Sequence, residues 1–254
     1  MGKIILLCGN DVSSAILYNA IHAHFPIDMV LVEKPVDKWK FIKRRAKKLG
    51  WFTAIGQVLF KLIAEPFIRK SSSNRIEELY EKFNFNPSWD AIANCHSVSS
   101  INSSTAEHLL KQSKANLILV NGTRIISKKI LATTEAVFVN IHAGITPKYR
   151  GIHGGYWALV NNDIENAGVT THLIDAGIDT GGILMQDTFV PEAEDSILSY
   201  PLYQLNSGIE HLKELIPQLL KKEYQIKNKA GESKLWYHPT IWGYCYNRWF
   251  NGVK

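Results

Sequence analysis

Short apolar runs alternate with helix-period segments along most of this chain, and that alternation leaves few folds open. Lys3 to Cys8 leads into an apolar run that stops at the turn signal Gly9-Asn10-Asp11. A helical pattern follows, with Ser13 expected as its N-cap and Ala15, Ile16, Ala20 and Ile21 on one side. Ile27 to Val32 is a second strand after Pro26. Further strands are expected at Ala91 to Val98, Leu117 to Val120, Val137 to Ile141, Val169 to Ile174 and Ile183 to Val190. Helices are expected from Ser104 to Ser113 and across Ile197 to Leu220. Strand, helix, strand in series predicts an α/β fold: a Rossmann-like, doubly wound, mostly parallel sheet with helices on both faces.

One stretch breaks the rhythm. Trp39, Ile42, Ala46 and Leu49 recur at helical spacing, while Lys40, Lys43, Arg44, Arg45, Lys47 and Lys48 crowd the other positions. A second helical pattern runs from Trp51 to Pro66; Lys61 interrupts it, and no segment here is expected to be long enough to cross a bilayer. We therefore expect a domain over residues 1–190 with a helical insertion at about 38–90. Residues 191–254 are expected as a C-terminal helix and a short extension rich in Trp and Tyr. The formal net charge of +6 favours anionic partners without choosing among them. The basic stretch at 38–70 leaves a membrane surface open as one partner, and a solvated basic face as the plain alternative. Cys8, Cys95 and Cys245 are odd in number and far apart, which argues against a disulfide framework and fits a reducing, cytoplasmic setting.

Two segments carry chemistry. In the first, Val139 to Gly151, an apolar strand ends in Asn140 and His142 and runs into a Gly/Pro loop. Two residues apart on a strand means one face, and the end of such a strand is where open α/β sheets bind ligands. In the second, Gly168 to Leu184, a strand runs into a Gly-rich loop bearing Asp175 and Asp179. An amide donor, a base that titrates near neutrality and a carboxylate are the parts needed for acyl transfer to an amine. Each residue also has a plain reading: a histidine beside a strand can be purely structural, and Asn and Asp form turns. His142, His153, His172 and Asp175 match no familiar metal-ligand spacing, so no metal is expected.

Together the two segments resemble the catalytic signature of the 10-formyltetrahydrofolate-dependent formyltransferases. That family includes methionyl-tRNA, glycinamide ribonucleotide and nucleotide-sugar enzymes, and the last of these is the nearest in outline. A third stretch, Val120 to Leu131, is similar to the family's folate-pocket strand and loop. The match covers residues 117–186; residues 33–90 and the tail lie outside it.

The resemblance implies a formyl donor of the 10-formyltetrahydrofolate type and a primary amine as acceptor. It implies that Asn140 and His142 stabilise an oxyanion and assist proton removal, and that Asp179, in the family's Asp-x-Gly position, orients His142, with Asp175 as the competing carboxylate. It implies a donor pocket at Thr123, Arg124, Ile125, Ile126, Asp175 and Gly177. Gly144, Pro147, Tyr149, Arg150 and His153 would line the acceptor side. Ala143-Gly144-Ile145-Thr146 and His153-Gly154-Gly155 depart from the family pattern there, which leaves the acceptor open.

A nucleotide-linked amino sugar is the expected acceptor, with Trp236, Tyr237 or Trp242 offered as platforms for its base. No nucleic-acid partner is expected, because only about seventy residues follow Leu184. A glycinamide ribonucleotide enzyme, a formyltetrahydrofolate hydrolase and a non-catalytic membrane-surface binder are the alternatives. A homodimer stays open.

Overall fold

The computed structural model describes residues 2–90, 92–227 and 231–254. The described residues form nine strands: β1 (Ile4–Gly9), β2 (Met29–Glu33), β3 (Cys95–Val98), β4 (Leu117–Asn121), β5 (Val137–His142), β6 (Arg150–Gly151), β7 (Gly168–Leu173), β8 (Ile183–Thr188) and β9 (Leu235–Trp236). Seven of them form one sheet in the order β3-β2-β1-β4-β5-β7-β8, while β6 and β9 pair separately. Ala91, the expected start of the third strand, lies outside the described residues.

The pairing is parallel from β3 through β5. β7 then joins β5 antiparallel, and β8 joins β7 antiparallel. The expectation of a mostly parallel, Rossmann-like sheet is met. β1 and β4 are buried at every residue, as strands covered on both faces must be. One apolar layer packs β1 and β4 under the helices Val12–His22 and Tyr200–Lys221. On the opposite face, Leu110, Ile126 and Ile130 close over Ile5, Leu7 and Ile118. The helix Tyr200–Lys221 is thus a structural wall of the sheet rather than an appendage to it. Asp11, not Ser13, caps the first helix by accepting from the Ser14 N–H at 2.9 Å.

The inserted segment departs from expectation in two ways. The helix Lys38–Leu49 buries only Ala46, and its Trp39 is 71% exposed, so the periodic apolar stripe read there does not face a core. After Gly50, the chain is helical without a break from Trp51 to Ser71. That helix has 21 residues and is long and apolar enough to cross a bilayer, which corrects the expectation of shorter segments ending at Pro66. The physical reason is a π-helical turn at Phe60–Ala64. It re-phases the backbone just before Pro66, which sits at the opening of the next turn, where its missing N–H does little harm.

Phe60 and Ile68 hold this helix to a third apolar layer around Tyr149, Tyr156 and Tyr244. Burying each contributes about 1.5–3 kcal/mol. Beyond it, the Arg75 guanidinium meets the fully buried carboxylate of Asp195 at 2.9 Å and the Tyr203 hydroxyl at 2.6 Å.

Candidate active site

Asn140 and His142 stand at the carboxyl end of β5: Asn140 is the last residue paired with β4, opposite Val120, and His142 lies two residues beyond that pairing. The antiparallel ladder sets Asn140 opposite His172 and His142 opposite Thr170. The chain then leaves β7, turns through residues 174–182 and brings Asp179 back over the end of β5. Asp179 has a positive φ of 50°, a conformation that short polar side chains tolerate. A Cβ at Gly177 would collide with the Thr180 Oγ1, which would have to give up its hydrogen bond to Asp175. The turn is tied by Asp175, which accepts from the Gly177 N–H and the Thr180 hydroxyl.

The outcome is one constellation. Nδ1 of His142 lies 3.4 Å from Oδ2 of Asp179. His172 Nδ1 donates to the carbonyl of Leu173 at 2.7 Å, leaving its Nε2 to accept from the Asn140 amide at 3.2 Å. That contact turns the amide nitrogen of Asn140 toward His172 and leaves its second N–H free for the cleft. Oδ1 of Asp179 lies 3.7 Å from the same His172 nitrogen, too far for a hydrogen bond.

The loop between β5 and β6 braces the group from the other side. His142 Nε2 donates to the Tyr149 carbonyl at 2.7 Å, and the Gly151 N–H donates to Asp179 Oδ2 at 2.9 Å. Thr170 stitches this loop to β7 by donating to the Gly144 carbonyl and accepting from the Thr146 N–H. Burial lowers the pKa of His142 from the ordinary imidazole value, although the charge of Asp179 and the Tyr149 carbonyl oppose the shift. Burial also works against the charge on Asp179. His142 and the Gly151 N–H outweigh it and hold the carboxyl below the usual range. At neutral pH the pair is a neutral imidazole facing a carboxylate.

The cleft beside this group has a volume of about 450 Å³. Thr123, Arg124, Ile125, Ile126, Asp175 and Gly177 line it together with Asn140, His142 and Asp179. The Arg124 side chain points away, pairing with Glu33 at 2.9 Å and donating to the carbonyls of Lys34 and Ser99. Only its backbone faces the cleft region. The apolar walls of Val120, Ile126, Ile141 and Ile174, beside the polar Asn140, His142 and Asp179, suit a flat heteroaromatic ring with polar edges.

A smaller cavity of about 220 Å³ opens on the other side of Asp179, lined by Pro147, Arg150 and Lys227. Arg150 donates to the Ile178 carbonyl through Nη1, while its buried Nε has no partner among the described residues. Two neighbouring cations, one with a spare donor, fit an anionic group.

Other expected acceptor residues lie elsewhere. The Tyr149 ring is fully buried, and its hydroxyl donates to Asp163 at 2.8 Å; it reaches the site only through its carbonyl. Gly144 backs that carbonyl, with no room for a Cβ. His153 pairs with His238 at 2.9 Å and lies outside both cavities. Trp236 stacks on Tyr149 and Trp157, Trp242 stacks on Phe52, and Tyr237 lies under Arg45 and Lys48. These three rings are already occupied within the chain, which corrects the expectation that they form a base platform. His172, weighed from sequence only as a metal-ligand candidate, is the hydrogen-bond partner of Asn140. Its position depends on strand register, which no local pattern announces.

Comparison with known proteins places these features in context. Residues 69–201 match a family described as formyl transferase. A methionyl-tRNA formyltransferase from Caldanaerobacter subterraneus is 33% identical over 133 residues, which is 52% of this chain and 42% of that protein. One from Clostridium tetani is 34% identical over 128 residues, covering 50% of this chain and 40% of that protein. The chain thus matches less than half the length of these relatives.

Among solved structures, a sugar N-formyltransferase from a Shewanella species superposes with a TM-score of 0.58 at 14% identity, covering 92% of this chain and 76% of that one. A glycinamide ribonucleotide transformylase from Symbiobacterium toebii gives 0.56 at 17% identity, covering 90% and 95%. At such identities the likeness is one of fold.

Proposed function

The chain belongs to the formyl transferase family, and from that premise we propose that it moves a formyl group from a 10-formyltetrahydrofolate-type donor to a primary amine. The observation that carries this reading is the convergence of Asn140, His142 and Asp179 on one end of the 450 Å³ cleft. The donor would lie in that cleft, its ring among Val120, Ile126, Ile141 and Ile174, and would supply an activated one-carbon acyl group.

The residues of this chain then have separable tasks. The free N–H of Asn140 stabilises negative charge on the formyl oxygen, because it is already oriented and largely shielded from water. Nδ1 of His142 accepts the proton released as the amine attacks the formyl carbon; its Nε2 is already committed to Tyr149. Asp179 stabilises the imidazolium so formed. The proton returns to the nitrogen from which the formyl group departs, so no net proton is taken from solvent.

For the acceptor, the Arg150 and Lys227 cavity supports an amine that carries phosphate, and a nucleotide-linked amino sugar is the form to test first. Purified protein should release tetrahydrofolate from 10-formyltetrahydrofolate only when a suitable amine is present. An acceptor panel of nucleotide-linked amino sugars, glycinamide ribonucleotide and methionyl-tRNA identifies the substrate. Turnover with water alone would show the protein to be a hydrolase and overturn the transfer reading.

A further inference from the structure

The inserted helices present an apolar surface that the folded chain does not cover. On the helix Trp51–Ser71, Trp51, Phe52, Ile55, Leu62, Ile63 and Phe67 are 52–73% exposed, and their spacing puts them on one side. The other side seats Ala54, Gln57, Phe60 and Ile68 on the body of the protein. The helix Ile241–Phe250 repeats the pattern with Trp242, Tyr246, Trp249 and Phe250. Phe52 and Trp242 stack at 4.2 Å, so the two stripes join. With Trp39 and Phe41 added, twelve of the seventeen exposed large hydrophobics among the described residues fall in this one region, which is not the scatter of an ordinary surface.

Charge indicates what covers it. Residues 38–70 hold ten Lys and Arg and one carboxylate, Glu65. Lys38, Lys40, Lys43, Arg44, Lys47 and Lys48 are exposed and belong to no ion pair among the described residues. Aromatic side chains edged by unpaired cations match the boundary between acyl chains and anionic headgroups. A second copy would bring the same cations toward one another across a two-fold contact. A spanning orientation would pull Phe60 and Ile68 from the core. It would also strain the next helix, which is anchored by the Ser72–Ser196 hydrogen bond and the Arg75–Asp195 pair.

We propose that this face docks flat on an anionic lipid bilayer, with the helices Trp51–Ser71 and Ile241–Phe250 in the interface and the helix Lys38–Leu49 against the headgroups. The site lies close by: β9, which leads into Tyr237 and the second helix, pairs with β6, whose Gly151 holds Asp179.

Co-sedimentation of the full chain with vesicles tests this. The protein should pellet with phosphatidylcholine–phosphatidylglycerol vesicles, bind pure phosphatidylcholine more weakly, and lose affinity as salt rises. Leu62→Gln with Phe67→Ser should lower partitioning at least tenfold on either vesicle. Lys43→Gln with Lys47→Gln should lower it about fivefold per lysine on the anionic vesicles alone. All four positions are exposed, so melting temperature should hold.

Wild-type protein that stays in the supernatant with both vesicles overturns the proposal, as does binding indifferent to both variant pairs. A lipid-free dimer that the apolar variant dissociates, without vesicle binding by the wild type, would assign the face to a second copy instead. None of these measurements uses turnover, so their failure leaves the formyl-transfer reading untouched.

Discussion

His142 donates its Nε2–H to the backbone carbonyl of Tyr149 at 2.7 Å. A carbonyl has no proton to offer, so this contact sets the tautomer and leaves Nδ1 as the basic nitrogen, 3.4 Å from Asp179. The tautomer and orientation of the imidazole follow from this one loop carbonyl.

The pH profile of the transfer reaction should reflect this. Burial lowers the pKa of His142 below the ordinary 6.5, so the basic form persists through neutrality. We expect kcat/KM to be level above pH 7 and to fall only at pH values below 6.5. His142→Ala should lower it by about 10²–10⁴-fold with the fold retained. An acid limb centred above 6.5 in the wild type would contradict the assignment.

Asp179 should act through His142. Asp179→Asn keeps an acceptor for the Gly151 N–H but removes the charge that favours the imidazolium. We expect turnover to drop by about 10²-fold or more. Combined with His142→Ala, the double variant should be little worse than His142→Ala alone, since the two residues work as a unit. Fully additive losses would show that Asp179 works independently of His142.

Gly144→Ala tests the loop itself. A Cβ at that position would meet the Tyr149 carbonyl oxygen at 2.2 Å and Nε2 of His142 at 2.8 Å. Relief requires the carbonyl to move off the imidazole. Activity should fall by about 10²-fold, and stability by about 1–3 kcal/mol in urea unfolding.

Acid should destabilise the fold through the histidine pair behind the site. His153 and His238 share a 2.9 Å hydrogen bond, and burial pushes His153 down to about 4 and His238 to about 2. The unfolded chain takes up these protons near 6.5 and the folded one only at lower pH. Stability is therefore full above 6.5 and declines as pH falls from there toward 4. We expect a loss on the order of 1–3 kcal/mol between pH 7 and pH 4.5, reduced in His153→Gln. Equal acid sensitivity in the variant would remove the pair as the cause.

Asp195→Ala should loosen the inserted helices. It leaves the buried Arg75 guanidinium without its buried carboxylate partner and the Tyr203 hydroxyl without its acceptor. The cost should be about 3 kcal/mol or more by chemical denaturation. Proteolysis is expected to speed up between residues 60 and 80.

Residues read in order were enough for the sheet and for two members of the site. Period-2 and buried-strand patterns located β1, β4 and β5, because each is a local run whose burial is written in its own side chains. Asn140 and His142 were legible for the same reason: two residues apart on one strand places them together in any fold. The Asp179 loop was legible only through its resemblance to a family motif, since nothing local says where a nine-residue loop returns.

Tertiary structure decided the rest. His172 reaches Asn140 through an antiparallel register, and Tyr149 serves through its carbonyl while its ring enters the core. Trp236 and Trp242, which read as free aromatics, are spent on Tyr149, Trp157 and Phe52. The apolar stripe on the helix Trp51–Ser71 has a period that promises burial, yet it faces outward. Periodicity states that a face is apolar; only the packing of distant segments determines whether protein covers it.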